Sequence, residues 1–288
     1  MNLFPANSLV FEELNCKAEL LEEILKTDVI QYIGPISPQY KDYFITEIEK
    51  ISRQNQYKKL SFFITTLGGS VEMVEIMVEI MRNFYQEVYF FVPDYAYSAG
   101  TILCMSGDKI YMNYYSSLGP IDPQVMVNGK YVSAQGYIDQ LHAIVEKSMA
   151  GTVSPIEIQM ALNLDLADIN FYQQASLLTV SLLKKWLVQY KFKDWRRENG
   201  SDVSNDEKER RAEEIAKILG DNSLWNSHSR HIGVKVLREM VKLKIEDMHS
   251  NPNLEEAANT YYRLALNYSS KLQPSPVFIH SKKSRSGS

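Results

Sequence analysis

Cysteine is nearly absent from this chain: Cys16 and Cys104 are the only two among 288 residues. Two thiols are too few for a disulfide framework or a thiolate metal site, and Cys104 lies in an apolar segment where a thiol acts as a small hydrophobe. A reducing compartment, and with it a cytoplasmic location, is the expectation. Long apolar runs are missing as well. No stretch approaches about 18 uninterrupted apolar residues, and the start, MNLFPANSLVFEELNCKAELLEE, lacks a basic segment followed by an apolar core, so neither stable membrane insertion nor a secretory signal is expected. Excess positive charge is the third absence. The 31 basic residues are spread along the chain against 35 acidic ones, a net charge of -4, so no electrostatic footprint for nucleic acid is visible.

What is present is enough apolar material, 45% of residues, for one large domain or a domain with an appendage. The first half alternates strand and helix patterns. Val29 to Ile33 reads as a strand closed by Gly34-Pro35, Leu60 to Thr65 as a strand closed by Gly68-Gly69, and VYFFV as a strand before Ser98-Ala99-Gly100. Between them, Phe44, Ile45, Ile48 and Ile51, then Val71, Val74, Met77, Val78 and Met81, recur at helical intervals. The methionine stripe reads as a core-facing helix rather than a partner groove. Strand-then-helix units in series imply parallel pairing with crossover helices, an α/β class. From about Tyr137 the pattern is mostly helical, and residues 191–221 turn sharply polar, a solvated connection before a further helix.

Two glycine-bearing turns, each following a strand and opening a helix, stand 98 − 69 = 29 residues apart. In parallel α/β sheets such turns lie at the carboxyl ends of the strands, where ligands bind. A serine at a helix start is ordinarily an N-cap. Beside a second Gly-Gly turn, however, Ser98 would sit next to backbone N–H groups suited to an oxyanion on an attacked carbonyl, an acyl-transfer geometry.

Four segments carry a resemblance: Ile33-Gly34-Pro35-Ile36, Thr65-Thr66-Leu67-Gly68-Gly69-Ser70, Tyr97-Ser98-Ala99-Gly100-Thr101 and, most specific, Ser117-Leu118-Gly119-Pro120-Ile121-Asp122-Pro123-Gln124. On these the chain resembles the ClpP-like serine peptidase superfamily and, within it, the serine dehydrogenase proteinases, a branch related to signal peptide peptidase SppA. Asn226 to Gly233, with His228 and His231, is a further echo of that branch. The resemblance implies a ClpP/crotonase-like spiral of ββα units, a homo-oligomer, and hydrolysis of peptide or unfolded protein through an acyl-enzyme, with no cofactor and no metal. It places the nucleophile on Ser98 and the oxyanion hole on Gly68, Gly69 and Ala99, leaving open which glycine of the pair donates.

The base departs from the Ser-His-Asp pattern, because Asp122 stands where ClpP has its histidine. The SppA-like branch resembles a Ser-Lys dyad, and Lys147, 147 − 98 = 49 residues after Ser98, is the first choice for the lysine. Such a lysine must be held neutral by burial or a nearby cation. Lys130, in a loop, and Lys184 and Lys185, on an apolar helix, are less suited, and His142 is the other candidate base. Asp122 reads as a turn residue before Pro123. His228 and His231, without a third ligand, read as structural or as contacts to another subunit rather than as a metal site.

The expected organisation is an N-terminal helical segment (1–27), a catalytic domain (28–192), a helical C-terminal extension (193–272) and a disordered basic tail (273–288). Two other functions fit parts of the pattern: a catalytically inactive oligomeric scaffold of the same fold, and a crotonase-like acyl-CoA enzyme, against which SLGPIDPQ speaks.

Overall fold

In the computed structural model, which describes residues 5–53, 57–127, 130–163, 166–271 and 276–282, the chain is mixed α/β around a mostly parallel sheet. Helix α1 (Pro5–Leu25) leads into β1 (Asp28–Ile33), α2 (Lys41–Ser52), β2 (Lys59–Thr65), α3 (Val71–Phe84) and β3 (Glu87–Val92). There follow β4 (Tyr95–Ala96), α4 (Ala99–Met105), β5 (Lys109–Met112), β6 (Ser117–Leu118) and the hairpin β7 (Gln124–Val127) with β8 (Lys130–Ser133). The second half holds α5 (Ala134–Met149), α6 (Pro155–Leu162), α7 (Leu166–Trp186), α8 (Asn205–Gly220), α9 (Asn222–Trp225), β9 (Ile232–Gly233), α10 (Val234–Glu239), β10 (Glu246–Asp247), α11 (Pro252–Ser269) and β11 (Phe278–Ser281).

The large sheet runs β10-β5-β3-β2-β1-β11, with β11 alone antiparallel, against β1. Its central strands are buried at nearly every position because both faces are covered. Successive side chains point to opposite faces: Phe62, Ile64, Phe90 and Val92 pack under α2, α3, α4, α7 and α8, while Phe63 and Phe91 pack under α1 and α11. The α3 stripe of Met73, Val74, Met77, Val78 and Met81 is buried in the first of these layers, as its spacing predicts. Ser70 caps that helix by accepting the Met73 N–H at 3.0 Å.

The C-terminal part differs from the expected helical extension. Both outer strands of the large sheet, β10 and β11, come from it, and β11 occupies residues read as tail from composition; all four of its residues are buried. Likewise α1 is no separate segment: Leu14, Ala18 and Leu21 fill one core layer together with α11. Residues 283–288 of the expected tail, and Asn128 and Gly129 beside Lys130, lie outside the described residues.

A small second sheet, β4-β6-β9, sits past the carboxyl end of β3. In it β4 is parallel and β9 antiparallel to β6, with Ala96 opposite Leu118 and Leu118 opposite Ile232. It ties the segment before Ser98, the SLGPIDPQ segment and the segment after His228 into one unit.

Candidate active site

Ser98 occupies the turn from β4 into α4 with φ 52° and ψ -119°, a conformation that side-chain-bearing residues rarely adopt. Its hydroxyl caps nothing in the helix and has no hydrogen-bond partner among the described residues. An N-cap would have extended backbone and would accept an N–H from the first turn. Ser98 does neither, so the capping reading fails, and what the strained turn achieves is to present a free hydroxyl at the protein surface.

The strain is held in place from every side. All of α4 is buried, the Tyr97 N–H donates to Thr66 O at 3.0 Å, and the Thr66 N–H donates to Tyr95 O at 3.2 Å. Thr101, fully buried, is the rivet between the nucleophile turn and the β6 segment: its hydroxyl lies 2.8 Å from Ala96 O and 3.0 Å from Gly119 O, and it accepts the Gly119 N–H at 2.9 Å.

Gly68 and Gly69 approach this turn with φ of 110° and 147°. A Cβ on Gly68 would stand 2.8 Å from Ser98 Cβ and 3.2 Å from the Ala99 nitrogen; one on Gly69 would stand 1.9 Å from Ile36 O. Close packing and positive φ together demand glycine at both positions. The two glycines differ in their hydrogen bonds. The Gly68 N–H donates to Thr66 Oγ1 at 3.0 Å, whereas no partner for the Gly69 N–H occurs among the described residues. The Gly69 amide is therefore the one left to bind something else.

Asp122 is 1% exposed, and both carboxylate oxygens are used: Oδ1 lies 2.8 Å from His228 Nδ1, and Oδ2 accepts Gln124 Nε2 at 2.7 Å. His228 arrives on the loop between α9 and β9. Asp122 follows β6 and His228 precedes β9, so the antiparallel pairing of those strands puts both segments at the same end of the small sheet. The parallel register of β4 and β6 places Ser98 beyond the same end of the small sheet. A buried carboxylate accepts, so Nδ1 carries the proton and Nε2 is free as an acceptor.

The sequence readings of Asp122 as a turn residue and of His228 as structural or a subunit contact did not include this pair. Those two positions are 106 residues apart, and no local pattern joins them. The signal that existed was an aspartate where the family it resembles has a histidine, together with the echo at 226–233.

Lys147 differs from its expected surroundings. It lies near the end of α5 with its side chain 51% exposed, and its ammonium is bound by the Glu157 carboxylate of α6. These surroundings hold neither the burial nor the neighbouring cation that the sequence reading expected around a base. Lys184 is held by Glu209 and Glu213, and His142 is exposed on α5. Among the described residues no group of three or more His, Cys, Asp or Glu could hold a metal ion, and no helix is long and apolar enough to cross a membrane.

Over 92 residues the chain is 34% identical to an uncharacterized protein of Methanocaldococcus jannaschii, a match covering 31% of this chain and 32% of that protein. Over 91 residues it is 29% identical to the ATP-dependent Clp protease proteolytic subunit of Streptococcus thermophilus, covering 32% of this chain and 46% of the subunit. The matched stretch thus spans less than half the length of each of these curated relatives. Among solved structures, the chain is similar to a mutant of the 1510-N membrane-bound stomatin-specific protease in complex with a substrate peptide. The identity is 23%, the TM-score 0.33, and the coverage 42% of this chain and 59% of that one. The profile of one family, ClpP-like SDH-type serine proteinase, matches residues 13–194, well over half of the sequence, and the chain belongs to that family.

Proposed function

We propose that the protein is a serine peptidase that cleaves peptide bonds through an acyl-enzyme on Ser98, with His228 as general base and Asp122 as the residue that orients it. The observation that carries this reading is the strained, unpartnered Ser98 beyond the same end of the small sheet as His228 and the buried Asp122 that it pairs with.

In the first step His228 Nε2 takes the Ser98 proton as Oγ bonds to the substrate carbonyl carbon. The oxyanion that forms accepts from the Gly69 and Ala99 N–H groups, donors fixed beforehand by the backbone and needing no reorganisation. The imidazolium then gives its proton to the leaving amine as the C–N bond breaks. A water, deprotonated by the same imidazole, attacks the acyl-enzyme and releases Ser98. Asp122 fixes the Nδ1–H tautomer throughout and stabilises the imidazolium; its own second oxygen is locked by Gln124. Catalytic hydrogen bonds are often long before substrate binds, and the Ser98–His228 contact belongs to the substrate complex in this scheme. Lys147 serves as the base only if it exchanges Glu157 for Ser98.

Peptide or unfolded protein is the substrate class this chemistry takes. Ile156 and Leu162 of α6, with Phe171 and Leu177 of α7, are exposed and apolar, which supports assembly of several copies through this surface. The test of the central assignment is labelling by a fluorophosphonate, which phosphonylates activated serines. One modified residue, Ser98, is expected, with no labelling of Ser98→Ala. Labelling that survives Ser98→Ala, or no labelling at any pH from about 7 to about 10, a range spanning neutral histidine and lysine, would overturn the peptidase reading in favour of a silent scaffold.

A further inference from the structure

A cavity of about 570 Å³ opens at the other end of the large sheet, at the amino ends of β3 and β5, where Glu87 and Lys109 begin those strands. Ser98, past the carboxyl end of β3, belongs to the opposite end. The cavity is the size of a small-molecule site, and the proteolytic mechanism uses none of its lining residues.

Its charges do not balance. Asp108 is buried and already held by Arg82 at 2.8 Å, by Lys193 at 2.5 Å and by the Val88 N–H at 2.8 Å. Glu87 is held by Lys59 at 3.1 Å, and Glu246 by Lys244 at 3.3 Å. Lys109, Lys191 and Lys242 also line the cavity, and none of them has an ion-pair partner among the described residues; Lys109 rests 4.8 Å from the centre of the Tyr89 ring. Asp194 is the one lining carboxylate left without a cation among the described residues.

Lys191 ends a π-turn, Leu187–Lys191, in which the Phe192 N–H reaches back to Leu187 O at 2.8 Å. Such widened turns are rare and recur at functional sites. This one turns Tyr190, Lys191 and Phe192 toward the cavity together. Desolvation lowers the half-buried Lys191 ammonium to about 8, against the opposing pull of Glu246 and Asp108. The aromatic side of the cavity is ordered too. Arg82 stacks 3.6 Å over the Tyr190 ring, and the Phe192 and Trp195 rings are 5.2 Å apart.

We propose that this cavity binds a small phosphorylated ligand carrying an aromatic ring, of the nucleoside phosphate class, with Lys109, Lys191 and Lys242 at the phosphates and Phe192 and Trp195 against the ring. Three lysines without ion-pair partners among the described residues, lining one open cavity, match a multiply charged anion. The adjoining ring surface supplies stacking that inorganic phosphate cannot use. A cavity this small takes one nucleotide and excludes a strand.

The test is isothermal titration of the full chain, at low ionic strength, with ADP, pyrophosphate and adenosine. ADP is expected to bind one per chain with Kd below about 1 mM. Lys191→Met, which removes a half-buried charge, is expected to weaken ADP binding roughly tenfold or more. Trp195→Ala is expected to weaken ADP but not pyrophosphate, and Ser98→Ala is expected to change nothing. Lys242→Glu, at an exposed position, gives the same readout should the Lys191 variant fail to fold. Failure of ADP to bind at about 5 mM, far above that Kd, or undiminished binding to both lysine variants, overturns the proposal. Pyrophosphate binding as tightly as ADP overturns its aromatic half, and adenosine binding as tightly as ADP its anionic half.

Discussion

Replacing Thr101 by valine keeps the shape of the side chain and removes the hydroxyl that joins the Ser98 turn to the Gly119 segment. That oxygen accepts one N–H, from Gly119, and its single proton serves one carbonyl at a time, Ala96 O or Gly119 O. The substitution therefore leaves one buried donor and one buried acceptor without a partner. At about 1–3 kcal/mol for each unsatisfied buried group, the loss is about 2–6 kcal/mol, offset by about 1 kcal/mol from the added methyl. A domain of this kind has only about 5–15 kcal/mol in total, so a loss of 3 to 4 is visible as a large fall in midpoint. Urea unfolding followed by circular dichroism measures it directly, and Thr101→Ser is the control. Serine keeps the hydroxyl and forfeits a methyl, at about 1 kcal/mol. The Thr101→Val protein should also react with the fluorophosphonate more slowly than its residual stability explains, because Ser98 loses the brace of its strained turn. Stability within about 0.5 kcal/mol of the parent, the range of neutral surface changes, or a serine variant as damaged as the valine one, would refute the reasoning.

Gly69→Ala forces a Cβ to within 1.9 Å of Ile36 O at a φ of 147°, and it is expected to lower the unfolding free energy by at least about 3 kcal/mol and to abolish Ser98 labelling. Asp122→Asn is expected to slow labelling by about 10³ to 10⁴, since the amide favours the wrong imidazole tautomer, while the unfolding midpoint moves little. Asp28 is buried, and desolvation raises its carboxyl to about 6 from 3.8, although the Tyr85 hydroxyl donates to it at 2.9 Å. The folded state thus favours the protonated acid. Its contribution to stability is complete below 3.8 and is lost as pH rises through about 6. Between pH 4 and pH 7.5 the stability difference between Asp28→Asn and the parent should therefore shift by about 1–2 kcal/mol toward the variant. Equal differences at the two pH values, read by urea unfolding, would contradict it.

The parallel core was legible in the chain because two-sided burial writes itself locally. Leu60, Phe62, Phe63 and Ile64 crowd apolar side chains onto both faces of one short strand, and Val71 to Met81 repeats at helical spacing. The glycine turns were legible for a similar reason, since Gly68 and Gly69 are demanded by contacts a few ångströms away. The short strands were not. β9 and β10 hold two residues each and carry no periodicity; they exist because β6 and β5 offer them an edge. β11 was hidden by a basic, small-residue sequence after it, although Phe278 and Ile279 are core residues.

The base was the hardest part to read. Lys147 stands at a suitable distance along the chain, but whether a lysine is neutral depends on what folds beside it. Here that is Glu157, set in place by the Ser154 capping box at the start of α6. Asp122 and His228 are 106 residues apart and meet where the chain leaves β6 and enters β9. Ser98 itself was legible as a position, and only the backbone shows that it is strained and uncapped.

The central claim is that Ser98 is activated by His228 rather than by a lysine. The rate of fluorophosphonate labelling, measured across pH for the parent, His228→Gln and Lys147→Ala, separates the two. The account predicts, across the pH range, a loss of about 10³ or more in His228→Gln and a Lys147→Ala rate equal to the parent. Full reactivity in His228→Gln, with reactivity lost in Lys147→Ala, would contradict it.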